Sequence, residues 1–416
     1  MAEWSQLPPE LLDQIAKSLQ APFDHLRFRS VCSAWRSSVT PKPRRFLPGY
    51  LILPNDGISD TTFGFHLSKR SILILQSTRL GNQAERSPHP AWVIKIEEDL
   101  PDRKSLLNPL SRHRFSPLPS DFPRVLDLSG IRVCELGQEY VLHSINYKHM
   151  IGDDNLYMEK VALKWVSIDG DFVLLTIHVS GKLALFRSGN KRWTTINDMP
   201  SPYDDVILFK GEFLAVDNTG RTVNVDVTGS PPVLSLVANP VFGGDKKYLV
   251  ECEGQLLMVD MYLSIDATEG GPLGFGEDFL EHLAVYMSER TVRFKVYKLD
   301  EEMLTWVVVR NLGDKVLFLG DHSTFAASAS DLSLPKGNYI FFVDNFFYVS
   351  SEYSGGDEDG EMGGGRDIGV FDLESCCIGP LGNYPHYSKI FWPPPHWIFS
   401  CGLGAQNQNH SAEQSQ

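Results

Sequence analysis

The 416-residue chain has little cysteine, no long apolar run and no surplus of positive charge, and each lack closes off a class of function. The six cysteines (Cys32, Cys134, Cys252, Cys376, Cys377 and Cys401) are scattered, with no CxxC pair and no zinc-like spacing. That excludes a dense disulfide frame and a structural zinc site, and it places the chain in a reducing compartment, cytosol or nucleus. Apolar runs such as Ser71–Leu75 and Tyr339–Val343 fall far short of the ~20 residues that span a bilayer. The start lacks the basic residues and apolar core of a signal peptide, so no membrane role is expected. Lys and Arg number 38 against 52 Asp and Glu, a formal charge of −14. An acidic surface repels phosphate backbones, which excludes nucleic acid as the main partner. The short run Lys42-Pro43-Arg44-Arg45 reads as a solvated linker rather than a nuclear address. The sequon Asn409-His410-Ser411 would go unused in a reducing compartment.

Catalytic signatures are missing as well. There is no GxxxxGK[ST], no GxGxxG between strand and helix, no GxSxG and no HExxH. The twelve histidines are dispersed, and neither His143 with His149 nor His386 with His396 has a ligand spacing. Asp153-Asp154 and Asp204-Asp205 imitate carboxylate pairs, but neighbours at a turn diverge. Cys376 and Cys377 lie on a predicted strand, where adjacent side chains point to opposite faces, and read as small buried residues. No catalytic residue, cofactor or metal is expected.

What is present begins at the N-terminus. Pro8 and Pro9 suit a first helical turn, where a missing N–H costs nothing. Leu11, Ile15 and Leu19 then recur every four residues, with Leu12 and Ala16 beside them on one broad face. Asp24 reads as the cap of a second helix carrying Leu26, Phe28, Val31 and Cys32. Ser33 opens a third with Ala34, Trp35 and Val39, and Pro41 and Pro43 stop it. Three helices this short cannot bury all these side chains among themselves, so the segment looks built to meet another protein.

The order L-P-x-E-L-L-x-x-I, then D-x-L-R-x-R-x-V-C-x-x-W-R, resembles the F-box motif from Leu7 to Arg36. The resemblance implies docking of a Skp-type adaptor and, through it, the cullin and RING subunits of a ubiquitin ligase. It also implies which residues do so: Leu7, Pro8, Glu10, Leu11, Ile15, Leu19, Val31, Cys32, Trp35 and Arg36. Trp35 would be the largest anchor, with Glu10 and Arg36 at the polar rim.

After the Pro-rich linker the pattern changes to short β-rich runs separated by Gly, Asn, Asp and Pro turns. Predicted strands include Tyr50–Leu53, Ser71–Gln76, Phe172–Val179, Leu183–Arg187, Val206–Phe209, Phe213–Val216, Thr222–Val227, Tyr248–Cys252, Gln255–Asp260, Val292–Leu299, Thr305–Val309, Val316–Leu319 and Asn338–Val343. The only helix signal is a short one near Glu277–Leu283. Units of strand, tight turn, strand, turn and aromatic recur, ending near Trp193, Val227 and Trp306, with a remnant at Asp367–Leu373. Their spacing of about 45–50 residues is that of stacked propeller blades, and roughly 350 residues make six or seven of them. A pair of β-sandwiches is the alternative. Ser354–Arg366 is acidic and Gly-rich, as a loop between strands would be. The aromatic run Phe391–Trp397 fits a strand that closes the ring, with a partner-binding patch as the other reading.

The succession Leu107–Ser111, Phe209–Phe213, Val296–Asp300, Leu317–Asp321, Ile340–Asp344 and Asp367–Asp372 resembles plant proteins that join an F-box to a KIB-type β-propeller. The expected fold class is therefore mainly β with a small α module. Residues 1–45 would hold the F-box helices and linker, 46–403 a six- or seven-bladed propeller, and 404–416 a disordered tail. The expected function is that of a non-catalytic substrate-recognition subunit of an SCF-type ligase, whose propeller takes an unknown protein target. Two alternatives stay open: an F-box scaffold acting outside a ligase, and a propeller enzyme or glycan-binding protein. Acids or arginines converging at the channel mouth would favour the last, and an apolar, plugged channel would not.

Overall fold

In the computed structural model, helix α1 runs Pro9–Ser18, and the N–H groups of Leu11 and Leu12 both donate to the Pro8 carbonyl at 3.1 Å. The structure describes residues 4, 7–18, 28–38, 51–55, 58, 63–78, 91–100, 103–111, 118–126, 130–145, 158–167, 170–198, 200–265, 289–344 and 367–399. Leu19, residues 42–45, His149, Asp153-Asp154, the helix signal at 277–283, the acidic stretch 354–366, Cys401 and everything from Gly404 onward lie outside them. Glu10 in the first turn of α1 and Lys17 in the last complement the helix dipole. Lys17 also pairs with Asp13 at 2.6 Å, one turn back. Residues 28–30 form a further helical turn, and α2 spans Ser33–Ser38.

Twenty-two strands follow among the described residues, and they group into five blades. The first holds β1 (Leu51–Leu53), β2 (Phe65–Ser77), β3 (Trp92–Leu100), β4 (Arg103–Leu107) and β5 (Ile131–Ser144). The second is β6 (Met158–Trp165), β7 (Phe172–His178), β8 (Leu183–Arg187) and β9 (Thr194–Ile196). The third is β10 (Tyr203–Phe209), β11 (Glu212–Asp217), β12 (Thr222–Asp226) and β13 (Val233–Ala238). The fourth is β14 (Lys246–Cys252), β15 (Gln255–Ile265), β16 (Glu289–Asp300) and β17 (Thr305–Val309). The fifth is β18 (Lys315–Leu319), β19 (Thr324–Ser328), β20 (Tyr339–Val343), β21 (Ile368–Asp372) and β22 (Cys377–Pro380).

One strand from each blade lines the axis. β5, β6, β10, β14 and β19 touch in that cyclic order and close back on β5, with the single bridge Tyr140–Val161 joining β5 to β6. Five apolar layers fill the five seams between blades. Phe65, Leu142, Leu174 and Trp193 pack between the first and second. Leu175, Ile177, Phe213 and Val225 follow between second and third, and Phe209, Val216, Met258 and Trp306 between third and fourth. Val259, Phe294, Phe342 and Phe371 fill the next seam, and Ile74, Val93, Phe318 and Phe341 the last. Adjacent residues on a strand point to opposite faces, so Phe341 and Phe342 serve two different seams.

The tight turns follow from residue type. Lys210-Gly211 and Glu253-Gly254 all have positive φ, the two-residue hairpin geometry that Gly makes accessible. The flanking pairs Phe209–Glu212 and Cys252–Gln255 close these turns in register.

Three expectations are corrected. The described residues form five blades where six or seven were expected, because the outer two blades depart from a simple repeat. In the first, β2 and β5 are 13 and 14 residues long, and the axial strand β5 comes last in sequence. In the fifth, β18 and β20 run parallel and the axial strand is β19. The run Phe391–Trp397 forms no strand; turns lead into a short helix, α4 (His396–Phe399), after α3 (Pro385–Ser388). The Phe391 ring is fully buried, and its carbonyl accepts from the Trp92 indole N–H at 2.9 Å, so this segment seals the last seam and is no exposed patch. Cys376 and Cys377 are both exposed; Cys376 has a φ of 57° in a turn, which breaks the strand alternation assumed for it.

Candidate functional site

The N-terminal helices have a small core of their own. Leu12, Ala16 and Phe28 are buried, with Leu7, Ile15 and Trp35 packed against them. The Phe28 and Trp35 rings lie 4.5 Å apart, and the Trp35 indole N–H donates to the Trp4 carbonyl at 2.9 Å. Arg29 and Arg36 each donate to the other's carbonyl, at 3.1 and 3.2 Å, which ties residues 28–30 to α2. The broad apolar face of α1 is therefore divided. Leu12 and Ala16 turn inward, whereas Leu11 stays 44% exposed and Val31 56% exposed. Pro8, Glu10 and Arg36 are exposed as well, Cys32 is half-buried, and Leu19 lies outside the described residues. The motif thus contains two kinds of residue that share one sequence pattern: those that hold the helices together and those left facing outward.

Around the axis the charged groups are paired. Lys160 of β6 reaches Asp205 of β10 and the Thr324 hydroxyl of β19, both at 2.9 Å. Asp205 also accepts from the Leu249 N–H of β14 at 2.7 Å, and the Thr324 hydroxyl donates to the Leu249 carbonyl. Because β6 and β19 are not ring neighbours, the Lys160–Thr324 bond closes the lumen with a polar plug. Beside it, Glu139 of β5 binds Lys95 and Arg70, each at 2.9 Å, and accepts from the Ser323 hydroxyl at 2.9 Å. Arg70 also pairs with Glu97 at 2.9 Å. Burial alone would push the Glu139 carboxyl upward, but Lys95 and Arg70 outweigh it and hold the group at about 2. In the third seam, fully buried Lys247 and Asp260 pair at 2.7 Å. The plug is polar rather than apolar: Asp205, Glu139 and Arg70 converge on it, and its acids and cations pair with one another. Among the described residues, no cluster of three or more His, Cys, Asp or Glu is placed to hold a metal.

Asp204 and Asp205 diverge as expected of neighbours. Asp205 is buried in the plug, while Asp204 accepts from the Lys247 N–H at 2.9 Å in the next blade. Burial raises the Asp204 carboxyl to about 6, against the downward pull of the Lys247 N–H, Lys246 and Lys247. The folded chain then holds a proton that the unfolded chain releases near the ordinary 3.8, so stability falls as pH rises from there through about 6. Asp204→Asn keeps an acceptor for the Lys247 N–H and removes the charge. It is expected to stabilise the chain by about 1–2 kcal/mol at pH 7.5, after allowance for solvent screening, and to lose that advantage near pH 4. Thermal unfolding at the two pH values checks this; an equal shift at both would contradict it.

A cavity of about 330 Å³ opens at the ends of β14 and β19 and the start of β5, lined by Cys134, Cys252, Glu251, Glu253 and Lys315 among others. Glu253 and Lys315 pair across it at 2.5 Å. His386 and His396 are exposed on separate short helices and share no site.

Comparison with known proteins agrees with both halves of this description. The F-box domain family matches residues 4–47, and the KIB1-4 beta-propeller family matches residues 64–372. The chain is 52% identical to F-box protein SKIP23 of Arabidopsis thaliana, with the whole of both chains covered. It is 36% identical to F-box protein At2g17036 of the same plant, again over the whole of both. A putative F-box/kelch-repeat protein, At5g24040, is 26% identical over 97% of this chain and all of its own length. An F-box module joined in one sequence to a β-propeller is thus what these matches describe: the chain belongs to the plant F-box proteins that carry a KIB1-4 β-propeller.

Proposed function

We propose that this chain is the substrate-recognition subunit of an SCF-type cullin–RING ubiquitin ligase, docking a Skp-type adaptor through its F-box and a target protein through its propeller. F-box proteins serve in general as non-catalytic receptors, and the propeller supplies a large rigid surface. The observation that carries the reading is the division of the helical module: a closed core of Leu12, Ala16 and Phe28, with Leu11 and Val31 left outside it. A water-exposed Leu and a water-exposed Val on so small a module are a cost that a partner removes. Catalysis then arises by proximity, because holding the target beside a charged ubiquitin carrier raises its effective concentration. The free thiols of Cys32, Cys134, Cys252, Cys376 and Cys377 support work in the cytosol or nucleus.

Affinity capture of the tagged full chain with the proteasome blocked tests the whole reading. Adaptor, cullin and RING subunits are expected in one stoichiometric complex that transfers ubiquitin to a co-captured protein. Adaptor without cullin would overturn the ligase assignment in favour of a scaffold.

A further inference from the structure

Among the described residues each blade ends in an outer strand whose far edge pairs with no other strand, and such edges invite pairing unless charge, proline or brevity guards them. Three of the five are guarded. β4 carries Arg103 and Lys104, β9 is three residues long, and β22 contains Gly379 and ends at Pro380. β13 is uncharged, with Val233 and Leu236 exposed, but prolines and Asn239 flank it and no charge at its ends would select a partner. β17, Thr305-Trp306-Val307-Val308-Val309, is also uncharged, is β-branched in four of its five positions, and has charged residues on both sides.

Among the described residues β17 pairs on one side alone, with β16. It is firmly held there. Trp306 is buried in the third-to-fourth seam and its indole N–H donates to the Gly220 carbonyl at 3.2 Å. Val307 and Val308 are nevertheless 51% and 54% exposed, one on each face of the edge. Met303 and Leu304 extend the apolar surface into the preceding turn, which is pinned to the third blade by the Asn239 N–H at 2.9 Å from the Leu304 carbonyl. The two ends carry opposite charge. Glu301 and Glu302 are exposed before the strand, Glu301 already paired with Lys210 at 3.0 Å, and Arg310 is exposed after it.

The geometry points to β17 as a docking edge for an extended segment of the target protein, added to the fourth blade as a further strand. Main-chain hydrogen bonds supply the pairing, Val307 and Val308 meet alternate apolar side chains, and the ends select a base opposite Glu302 and an acid opposite Arg310. This rests on the receptor reading above and specifies what the propeller receives.

The test uses the full chain and capped seven-residue peptides alternating Thr and Val, with Lys at one end and Glu at the other, in both chain directions. One direction is expected to bind. N-methylation of alternate peptide amides, and separately Val307→Lys with Val308→Lys, is expected to weaken binding at least about tenfold. Both valines are half-exposed, so the double variant keeps the fold and its adaptor co-purification. Binding that is indifferent to N-methylation or to the double variant overturns the inference. So does a concentration-dependent dimer that the double variant abolishes, which would assign the edge to a second copy. Hydrogen exchange at Thr305–Val309 as slow as in β16 of the free chain would show the edge already covered, with the same consequence. Peptide binding as expected without adaptor capture would leave this edge standing and remove the ligase reading.

Discussion

Glu139→Gln is expected to destabilise the propeller by about 3–5 kcal/mol, because it strands buried cations without their counter-charge. Glu139 is 1% exposed and Lys95 is fully buried, where its ammonium also donates to the Ser111 carbonyl at 3.1 Å. Among the described residues Glu139 is the carboxylate that pairs with Lys95, and a buried ammonium left without its counter-charge is costly. Arg70 is less affected, since Glu97 stays bound to it. Urea unfolding followed by tryptophan fluorescence measures the loss as a lower midpoint at unchanged slope. Ser323→Ala, which removes one hydrogen bond to the same carboxylate, is expected to cost only about 1–2 kcal/mol. Glu139→Leu combined with Lys95→Met removes both charges together and should recover most of the stability lost by Glu139→Gln. A Glu139→Gln midpoint within error of the unsubstituted chain would show that the cluster is hydrated. The pH dependence has a definite sign. With the folded carboxyl at about 2 and the unfolded one near 4.5, the unfolded chain binds more protons between these values. The stabilisation is complete above 4.5 and is lost as pH falls through about 2, so the gap between Glu139→Gln and the unsubstituted chain should narrow in acid.

The second large effect is on partnership rather than stability. Leu11→Asp with Val31→Asp is expected to reduce adaptor co-purification by about 100-fold or more. Each side chain is worth roughly 1.5–3 kcal/mol when an interface buries it fully, and every 1.4 kcal/mol is tenfold in affinity. Both positions are outside the module's core, so helicity and protease resistance should be retained. Leu12→Asp is the contrasting variant. Leu12 is 1% exposed against Ala16 and Phe28, so it should lose the adaptor by unfolding the module, with matching loss of helical signal. Trp35→Ala belongs with Leu12, because its ring packs on Phe28 and its N–H holds the Trp4 carbonyl. Adaptor retained at the usual level by the Leu11/Val31 variant would remove the F-box docking face.

Much of the architecture is legible in residue order. The F-box spacing from Leu7 to Arg36 is local, and the family comparison bears out the module it implies. Blades two to four repeat strand, turn and aromatic in register, which is why the units ending at Trp193, Val227 and Trp306 stand out. β8 and β17 have the predicted limits, Leu183–Arg187 and Thr305–Val309. The first and fifth blades resist the same reading because their axial strands are out of sequence order. β3 and β5 were missed there: charged Lys95, Glu97 and Glu139 interrupt their apolar pattern, and only a partner strand makes those charges tolerable inside. Phe391–Trp397 reads as a strand by composition, yet its prolines and the Trp92–Phe391 bond make it a turn-rich seal.

The sequence by itself determined the class of the molecule: an acidic chain with scattered cysteines, an F-box at its start and a predominantly β body. Those properties depend on residue type and short spacing, which folding does not alter. Tertiary structure alone decided the number of blades, which face of α1 looks outward, and which charges cancel. Glu139 meets Ser323 across 184 residues and Lys160 meets Thr324 across 164. Such pairings exist only once the ring has closed, since the low-polarity interior it creates is what forces each buried charge to find its opposite.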